Sequence, residues 1–291
     1  MRVGIHGRDP QNKSARFTES LLDYLKGQNM EIWASSKFLK QVKSKKLKSY
    51  RIKSFDHGYN LKPLDFFFSL GGDGTLLDSV TYVEKYETPI LGINTGRLGF
   101  LATINRDETE LAISNLMQSS YSIDSRSVLK LVSDKKLFEG QNFALNDFTI
   151  MKKDISAMIT VHVHVNGELL NSYWADGVIV STPTGSTGYS LSCGGPLLHP
   201  QSESFVITPV SPHTLTARPM VVSDDAEITF QVEGRSKNFL ISLDSRIETI
   251  NASVKLKIIK ENFKVNLVQL PGKNYYDTLR HKLNWGRDVR N

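Results

Sequence analysis

Apolar residues follow two alternating rhythms along the first hundred residues of the chain. Short, nearly continuous apolar runs of strand length occur at residues 3–5, 31–34, 64–70 and 89–93. Segments 15–25 and 75–83 instead repeat apolar residues at the three- and four-residue spacing of an amphipathic helix. Strands that alternate with helices are typical of a parallel sheet with crossover helices. The pattern therefore predicts an N-terminal α/β domain with a Rossmann-like parallel sheet.

Beyond a helix predicted at residues 107–117, the spacing changes to the two-residue alternation of half-buried strands. The clearest case is a hairpin over residues 158–170, in which Asn166-Gly167 supplies a two-residue turn. The apolar residues on one face of this hairpin are Ile159, Val161, Val163 and Val165. Further strands are predicted at residues 177–181, 205–208, 227–232, 239–243 and 253–259. Consecutive short strands favour an antiparallel C-terminal β-sandwich.

The end of the chain returns to a helical pattern. Pro271-Gly272 interrupts the strands, and residues 275–283 then place Tyr276, Leu279 and Leu283 on one side of a helix. We expect this helix to pack back on the first domain. A chain of 291 residues is long enough for two cores. The predicted domains are residues 1–102 together with 272–291, and residues 103–271.

The composition restricts the class of protein. Hydrophobic residues make up 40% of the chain and charged residues 23%, as in a soluble globular protein. The sequence contains neither a run of about 18 apolar residues that could span a membrane nor the pattern of a signal peptide. The single cysteine, Cys193, excludes an intramolecular disulfide and a cysteine-based metal site. We therefore expect a cytoplasmic protein without a membrane partner.

The net charge of +6 favours anionic partners without selecting one. The densest basic run comprises Lys37, Lys40, Lys43, Lys45, Lys46, Lys48, Arg51 and Lys53. Because this run contains few aromatic residues and no groove-binding motif, it is predicted to be a solvated face, and no nucleic-acid partner is expected. His162 and His164 share one strand face, but without a third ligand nearby they are predicted to face solvent.

A glycine-rich loop, Gly71-Gly72-Asp73-Gly74-Thr75, follows a buried strand and precedes a helix. At the carboxyl edge of a parallel sheet, such a loop lets the backbone approach phosphate oxygens, and the helix N-terminus favours an anion. A carboxylate there is unexpected for phosphate binding alone. Asp73 could accept the proton of an attacking hydroxyl or help to hold Mg²⁺, as a kinase requires. The alternative is that Asp73 only caps the helix.

A second segment, residues 176–196, begins as a buried strand and continues with glycines and small hydroxyl residues around Tyr189. Its hydroxyl groups and single ring suit a sugar, phosphates and an adenine ring. The alternative, an ordinary surface loop, is weakened because residues 177–199 contain no Asp, Glu, Lys or Arg. The polar pair Asn146-Asp147 interrupts a further strand, for which a β-bulge or turn is the simplest interpretation.

Together these residues resemble the bacterial ATP-NAD kinases. The likeness rests on the glycine loop, the pair Asn146-Asp147 and the segment 176–196. It continues through residues 212–219, Asp244-Ser245-Arg246 and residues 275–285, and so covers nearly all of the chain from Asp65 onward. The glycine loop is shared with lipid kinases and phosphofructokinases, whereas residues 182–192 are highly specific to this family.

The resemblance implies an α/β domain, a β-sandwich and an active site between them, usually in a homodimer or homotetramer. It implies transfer of the ATP γ-phosphate to the 2′-hydroxyl of the NAD adenosine ribose, with a divalent cation such as Mg²⁺ carried by ATP. Asp73 would be the general base. Phosphates would lie on Gly71, Gly72, Gly74 and Thr75. NAD would contact Asp73, Gly74, Asn146, Asp147, Asp176, Thr184, Thr187, Gly188, Tyr189, Ser190, Leu191, Ser192, Ser211 and Arg246.

Three positions depart from the family pattern. Asp147 stands where the family usually has Glu, so its carboxylate reaches one methylene less far toward the ribose hydroxyls. Gly188 replaces a usual Ala. Trp174 stands where many members carry a basic residue, which removes one possible phosphate contact.

Two other functions stay open from the residues themselves. A lipid or sugar kinase of the same superfamily would keep the glycine loop without needing residues 182–192. A non-catalytic NAD or NADP sensor would keep the dinucleotide pocket and would have no use for Asp73. Production of NADP from Mg-ATP and NAD distinguishes all three.

Overall fold

The computed structural model describes residues 1–8, 12–41, 50, 52–58, 61, 64–96, 99–154 and 157–285. Five members of the basic run therefore lie outside the described residues: Lys43, Lys45, Lys46, Lys48 and Arg51. The described chain forms two units, Met1–Ser125 with Val265–Asn291, and Arg126–Lys264. Within these ranges, no helix is long and apolar enough to cross a membrane.

The strands, in chain order, are β1 (Arg2–Gly7), β2 (Glu31–Ser35), β3 (Lys53–Phe55), β4 (Phe66–Leu70), β5 (Ile90–Ile93), β6 (Ser122–Arg126), β7 (Leu129–Ser133), β8 (Phe143–Ala144), β9 (Asp147–Lys152), β10 (Ile159–Val165), β11 (Glu168–Ala175), β12 (Gly177–Ser181), β13 (Ser204–Val210), β14 (Met220–Ser223), β15 (Ile228–Gly234), β16 (Asn238–Leu243), β17 (Arg246–Asn251), β18 (Leu256–Lys260) and β19 (Val265–Gln269). The α-helices are α1 (Asn12–Gly27), α2 (Ser36–Gln41), α3 (Asp73–Val83), α4 (Thr109–Met117), α5 (Tyr189–Ser192) and α6 (Tyr275–Leu283). Short 3-10 turns occur at Glu84–Tyr86, Arg106–Glu108, Phe138–Gly140 and Gly185–Thr187.

The first unit is built on a seven-stranded sheet in the order β3-β2-β1-β4-β5-β19-β6. Strands β1 to β5 pair in parallel, and β19 joins β5 in parallel. The chain runs outward from β1 to β3 and then returns to place β4 on the other side of β1. Ligands of open α/β sheets bind at such a switch point, beyond the carboxyl ends of the strands. The loop after β4 therefore begins at the place where this fold binds ligands.

One face of this sheet forms a core with helices α1 and α4. Its buried residues include Ile5, Leu22, Phe68 and Ile113. The terminal helix α6 belongs to this unit, as the sequence predicts, and the ammonium group of Lys282 lies 5.7 Å from the centroid of the Phe100 ring.

The second unit contains two six-stranded sheets, with the orders β11-β10-β15-β18-β7-β8 and β14-β13-β12-β9-β16-β17. The pairs found within each are antiparallel. Alternate residues of both sheets face a shared core, in which the rings of Phe148 and Phe230 lie 5.5 Å apart. The hairpin predicted at Asn166-Gly167 is present, with a register shift between Val163 and His164. The predicted α/β and β-sandwich fold class is confirmed.

The limits of the two units differ from the predicted domain limits. Helix α4 buries Ile113 and Leu116 in the first core, and strands β6 and β19 extend the first sheet. The first unit therefore reaches residue 125 and resumes at residue 265, rather than at residues 102 and 272. The strand predicted from residue 253 begins at residue 256, because the preceding residues form a turn closed by a Val254 to Asn251 hydrogen bond.

Candidate active site

Asp73 is the first residue of helix α3, directly after the Gly71-Gly72 turn that follows β4. The N-cap residue is Gly72, and no side chain caps the helix. The carboxylate of Asp73 instead binds backbone groups outside its own helix. Its Oδ2 accepts a hydrogen bond from the Phe100 N–H at 2.7 Å, and its Oδ1 accepts from the N–H groups of Leu101 and Ala102 at 2.9 and 3.0 Å. The helix-cap interpretation of Asp73 is therefore wrong.

Two glycines make this arrangement sterically possible. A Cβ atom added at Gly99 would overlap the Asp73 carboxylate, so this position accepts no side chain while Asp73 keeps its conformation. A Cβ atom at Gly71 would overlap the hydroxyl of Thr75 in the first turn of α3. Gly99 thus leaves room for the Asp73 carboxylate, and Gly71 leaves room for the first turn of the helix that Asp73 begins.

The switch point also carries a cation that sequence reasoning missed. Arg8 follows β1, and its Nε donates a hydrogen bond to Asp78 of α3 at 2.7 Å. The Arg8 guanidinium lies close to the glycine loop, because one of its nitrogens would be 3.7 Å from a Cβ atom added at Gly74. Helix α3 points its N-terminal N–H groups toward the same region, so the loop combines a cation with hydrogen-bond donors for an anion.

In the second unit, Asn146 and Asp147 lie where the chain passes from one sheet to the other. Strand β8 ends at Ala144 in one sheet of the sandwich, and β9 begins at Asp147 in the other sheet. The polar pair is therefore the crossing itself rather than a bulge within one strand. The backbone carbonyl of Asn146 accepts from the Thr182 N–H at 2.9 Å, and the side-chain oxygen of Asn146 is buried without a hydrogen-bond partner. A ligand donor could satisfy that acceptor.

Asp147 is 8% exposed, and its carboxyl has a pKa of about 7. Burial is the main cause of this raised pKa, and the negative charge of Asp244 adds to it. Asp147 can therefore change its protonation state near neutral pH. The carboxylate of Asp244 accepts hydrogen bonds from the backbone N–H groups of Leu145, Asn146 and Asp147 at 3.0, 2.8 and 3.2 Å.

The hydroxyl-rich segment folds into a 3-10 turn followed by the short helix α5. Several hydroxyls hold the segment itself: Thr182 donates to the Leu145 carbonyl, Ser186 to the Pro183 carbonyl, and Ser190 pairs with Thr208 at 2.8 Å. A Cβ atom at Gly185 would overlap the carbonyl of Asn146. The specific residues of this segment therefore fix its shape against the Asn146-Asp147 crossing.

The remaining predicted contacts of the second unit vary in exposure. The Tyr189 ring is 41% exposed, as an aromatic surface for a base would be. Asp176 forms a 2.6 Å ion pair with Lys152. Thr184 is buried and accepts a hydrogen bond from Arg126 at 3.1 Å. Ser211 is exposed, directly after β13.

Two family models match the chain in sequence. The ATP-NAD kinase N-terminal domain matches residues 3–121, and the ATP-NAD kinase C-terminal domain matches residues 145–270. The chain belongs to the ATP-NAD kinase family. The resemblance seen in the sequence is confirmed, and the chain is an enzyme of the phosphotransferase class.

Relatives that are similar in sequence support this membership, and two solved structures share the fold. The chain is 50% identical over 292 residues to the NAD kinase of Cytophaga hutchinsonii and 42% identical over 294 residues to that of Flavobacterium johnsoniae, with all of each chain covered. Its fold is similar to that of a yeast NADH kinase complexed with NADH, with a TM-score of 0.86 at 21% identity over 100% of this chain and 89% of the other. It is also similar to an Archaeoglobus fulgidus NAD kinase in complex with ATP, with a TM-score of 0.74 at 24% identity over 98% and 99% of the two chains.

Two positions that depart from the ATP-NAD kinase pattern are accommodated locally. Gly188 has φ of −99° and ψ of −128°, outside the main allowed regions for residues with a side chain, and a Cβ atom there would lie 3.2 Å from the Gly185 carbonyl oxygen, so glycine suits this position. Trp174 is 48% exposed and lies against the imidazole ring of His213, with 4.4 Å between ring centroids. His213 thus places an imidazole ring beside the position at which the resemblance implies a basic residue.

Sequence reasoning left out the groups that hold the predicted site residues. The backbone of residues 100–102 holds Asp73, and the Asp244 carboxylate holds the backbone of residues 145–147. The motif Asp244-Ser245-Arg246 is part of the resemblance, but the resemblance gave no role to Asp244. The position of Asp244, two residues before Arg246 in that motif, was the signal available in the sequence. No local pattern could identify the donors to Asp73, because 27 to 29 residues separate them from it.

Proposed function

We propose that this chain phosphorylates NAD to NADP with ATP as the phosphoryl donor, and that Asp73 is the general base. Family membership and the NAD kinase relatives support the reaction. The hydrogen-bonded carboxylate of Asp73 at the switch point is the observation that carries the assignment of the base.

The proposed transfer makes one bond and breaks one. The 2′-oxygen of the NAD adenosine ribose bonds to the γ-phosphorus of ATP, the bond from that phosphorus to the β,γ-bridging oxygen breaks, and ADP leaves. The proton of the 2′-hydroxyl goes to the Asp73 carboxylate. Phosphoryl transfer depends mainly on positioning and on stabilising charge, so a base held in one orientation suits it.

The three backbone bonds indicate which oxygen of Asp73 takes the proton. A carboxylate offers about four lone-pair sites. Oδ1 uses both of its sites on Leu101 and Ala102, whereas Oδ2 uses one on Phe100. We therefore assign the proton-accepting role to Oδ2.

We propose that ATP phosphates lie at Gly71, Gly72, Gly74 and Thr75, with Arg8 beside them. The divalent cation would arrive with ATP, as the resemblance to the ATP-NAD kinases implies. A cation held by phosphates needs few ligands from the protein. When bound, it neutralises charge on the triphosphate.

We propose that NAD binds the second unit through its adenosine part. The unpartnered side-chain oxygen of Asn146 suits the amino group of adenine, and the exposed Tyr189 ring suits its face. The other proposed NAD contacts are Asp73, Gly74, Asp147, Asp176, Thr184, Thr187, Gly188, Ser190, Leu191, Ser192 and Ser211.

A cytoplasmic location and a homodimer or homotetramer are also proposed, on the family likeness. Light scattering of the purified protein coupled to size exclusion tests the oligomer, and one protomer per particle would contradict it.

The Asp73→Asn variant tests the base. We expect turnover of NAD to NADP to fall by about 10²–10⁴, the usual contribution of general-base catalysis. NAD should still bind, because the amide keeps the side-chain size. NADP is measured with an NADP-specific dehydrogenase, and NAD binding by calorimetry. Turnover at the wild-type rate in a folded Asp73→Asn protein would show that Asp73 is not the base.

A further inference from the structure

Asp244 and Ser245 form the turn between β16 and β17, and Arg246 is the first residue of β17. Asp244 adopts a left-handed conformation, with φ of 53°. Its carboxylate accepts the three N–H bonds from residues 145–147, and its own backbone N–H donates to the Asp147 carbonyl at 3.0 Å. Four hydrogen bonds thus connect one turn residue to the Asn146-Asp147 crossing.

Arg246 binds the same stretch of chain further upstream. Its guanidinium donates hydrogen bonds to the backbone carbonyls of Gln141 and Phe143. The same group lies 5.2 Å from the centroid of the Phe143 ring and 6.0 Å from that of Phe138. These two hydrogen bonds and two ring contacts all connect Arg246 to residues 138–143.

The crossing needs such bonds because residues 145 and 146 belong to no strand. Buried backbone groups without a hydrogen-bond partner are costly. The carboxylate of Asp244 satisfies the N–H groups that strand pairing would otherwise satisfy. Burial raises the pKa of the Asp244 carboxyl, whereas the backbone bonds and the Arg246 charge lower it. The pKa is raised on balance, and the N–H bonds and the Arg246 charge oppose that rise by favouring the charged form, which accepts all three bonds.

We propose that Asp244 and Arg246 are positioning residues, a clamp that holds the backbone of residues 141–147 so that Asn146 and Asp147 are presented to NAD. This inference rests on the proposed binding of NAD by that pair. In this proposal Arg246 affects NAD binding by holding the backbone of residues 141–147, and it makes no direct contact with the dinucleotide.

Amide hydrogen exchange in the protein without NAD tests the clamp independently of catalysis. In Arg246→Met and Asp244→Asn, exchange of the residue 141–147 segment should accelerate by about tenfold or more, the equivalent of one lost charge-assisted hydrogen bond. Ser245→Ala is the matched control, because Ser245 is an exposed residue of the same turn. Unchanged exchange in both clamp variants, with thermal unfolding showing folded protein, would overturn the proposal.

A double-mutant cycle separates the clamp from direct contact with NAD. Arg246→Met should raise KM for NAD by about tenfold while KM for ATP and kcat stay within about twofold, and Arg246→Lys should recover part of the loss. If Arg246 acts through the crossing, its effect should shrink strongly in an Asn146→Ala background. Full additivity of the two effects would indicate a direct contact and contradict the clamp.

The same experiments distinguish failure of the clamp from failure of the proposed NAD site. If Asn146→Ala alone leaves KM for NAD unchanged, the assignment of Asn146 to NAD binding is wrong, whereas the exchange result still decides whether the clamp exists.

Discussion

Asp73 in the first unit and Asp244 in the second each accept hydrogen bonds from three consecutive backbone N–H groups. The difference lies in which partner the surrounding structure fixes. Residues 100–102 precede Ile104, which pairs with Ile93 of the parallel sheet and exchanges backbone bonds with Gly92 and Asn94. The backbone is the fixed part there, and it orients the carboxylate of Asp73.

In the second unit the roles are reversed. Asp244 lies in the turn of the β16–β17 hairpin, whose six residue pairs are in register. Residues 145 and 146 have no strand partner of their own. The carboxylate is the fixed part here, and it orients the backbone. One hydrogen-bonding pattern thus prepares a side chain for chemistry in one unit and a main-chain segment for binding in the other.

The largest effect is expected from breaking the support of Asp73. Gly99→Ala places a methyl group on the Asp73 carboxylate and must displace it from its three donors. A misplacement of about 1 Å can cost about 10²-fold in rate, so kcat should fall by that order. Gly96→Ala is the control, since a Cβ atom at Gly96 meets no atom within 4 Å. Steady-state NADP formation measures both, and equal rates for the two variants would contradict the steric role of Gly99.

A smaller effect concerns Asp147, whose pKa of about 7 lies above the ordinary value of 3.8. Between these values the folded protein binds more protons than the unfolded chain, so this group's contribution to stability is present at low pH and is lost as pH rises to about 7. Asp147→Asn removes the titration. The melting temperature of the wild type should therefore decrease, relative to that of Asp147→Asn, from pH 5 to pH 8. A constant difference between the two proteins across that range would contradict the raised pKa.

The smallest effect is expected at Arg8. Its side chain is 50% exposed, and exposed ion pairs contribute at most about 1 kcal/mol. Arg8→Ala should raise KM for ATP roughly fivefold and leave KM for NAD unchanged. Arg2→Ala, at the opposite end of β1, is the matched control. An equal change in both KM values would argue against a phosphate contact at the switch point.

The sequence was sufficient where neighbouring residues carry the information. Buried apolar runs such as residues 64–70 and the Asn166-Gly167 turn predicted their elements directly. Strand β19 was missed because Val265–Gln269 follows the sandwich strands in sequence and gives no sign that it joins β5 in the sheet of the first unit. The same limit applied to the site: Asp73 was recognisable in its loop, whereas its donors at residues 100–102 and the partners of Asp244 are brought near only by the fold.

The central claim is that Asp73 serves the chemistry and Asp244 serves the binding of NAD. Asp73→Asn and Asp244→Asn, measured side by side for NAD affinity by calorimetry and for single-turnover rate at saturating NAD and ATP, test it most directly. We expect Asp73→Asn to bind NAD within about threefold of wild type and to lose about 10²–10⁴ in rate. We expect Asp244→Asn to lose about tenfold in affinity and to keep nearly the wild-type rate once saturated. The same pattern of loss in both variants, or an undiminished rate in Asp73→Asn, would contradict the account.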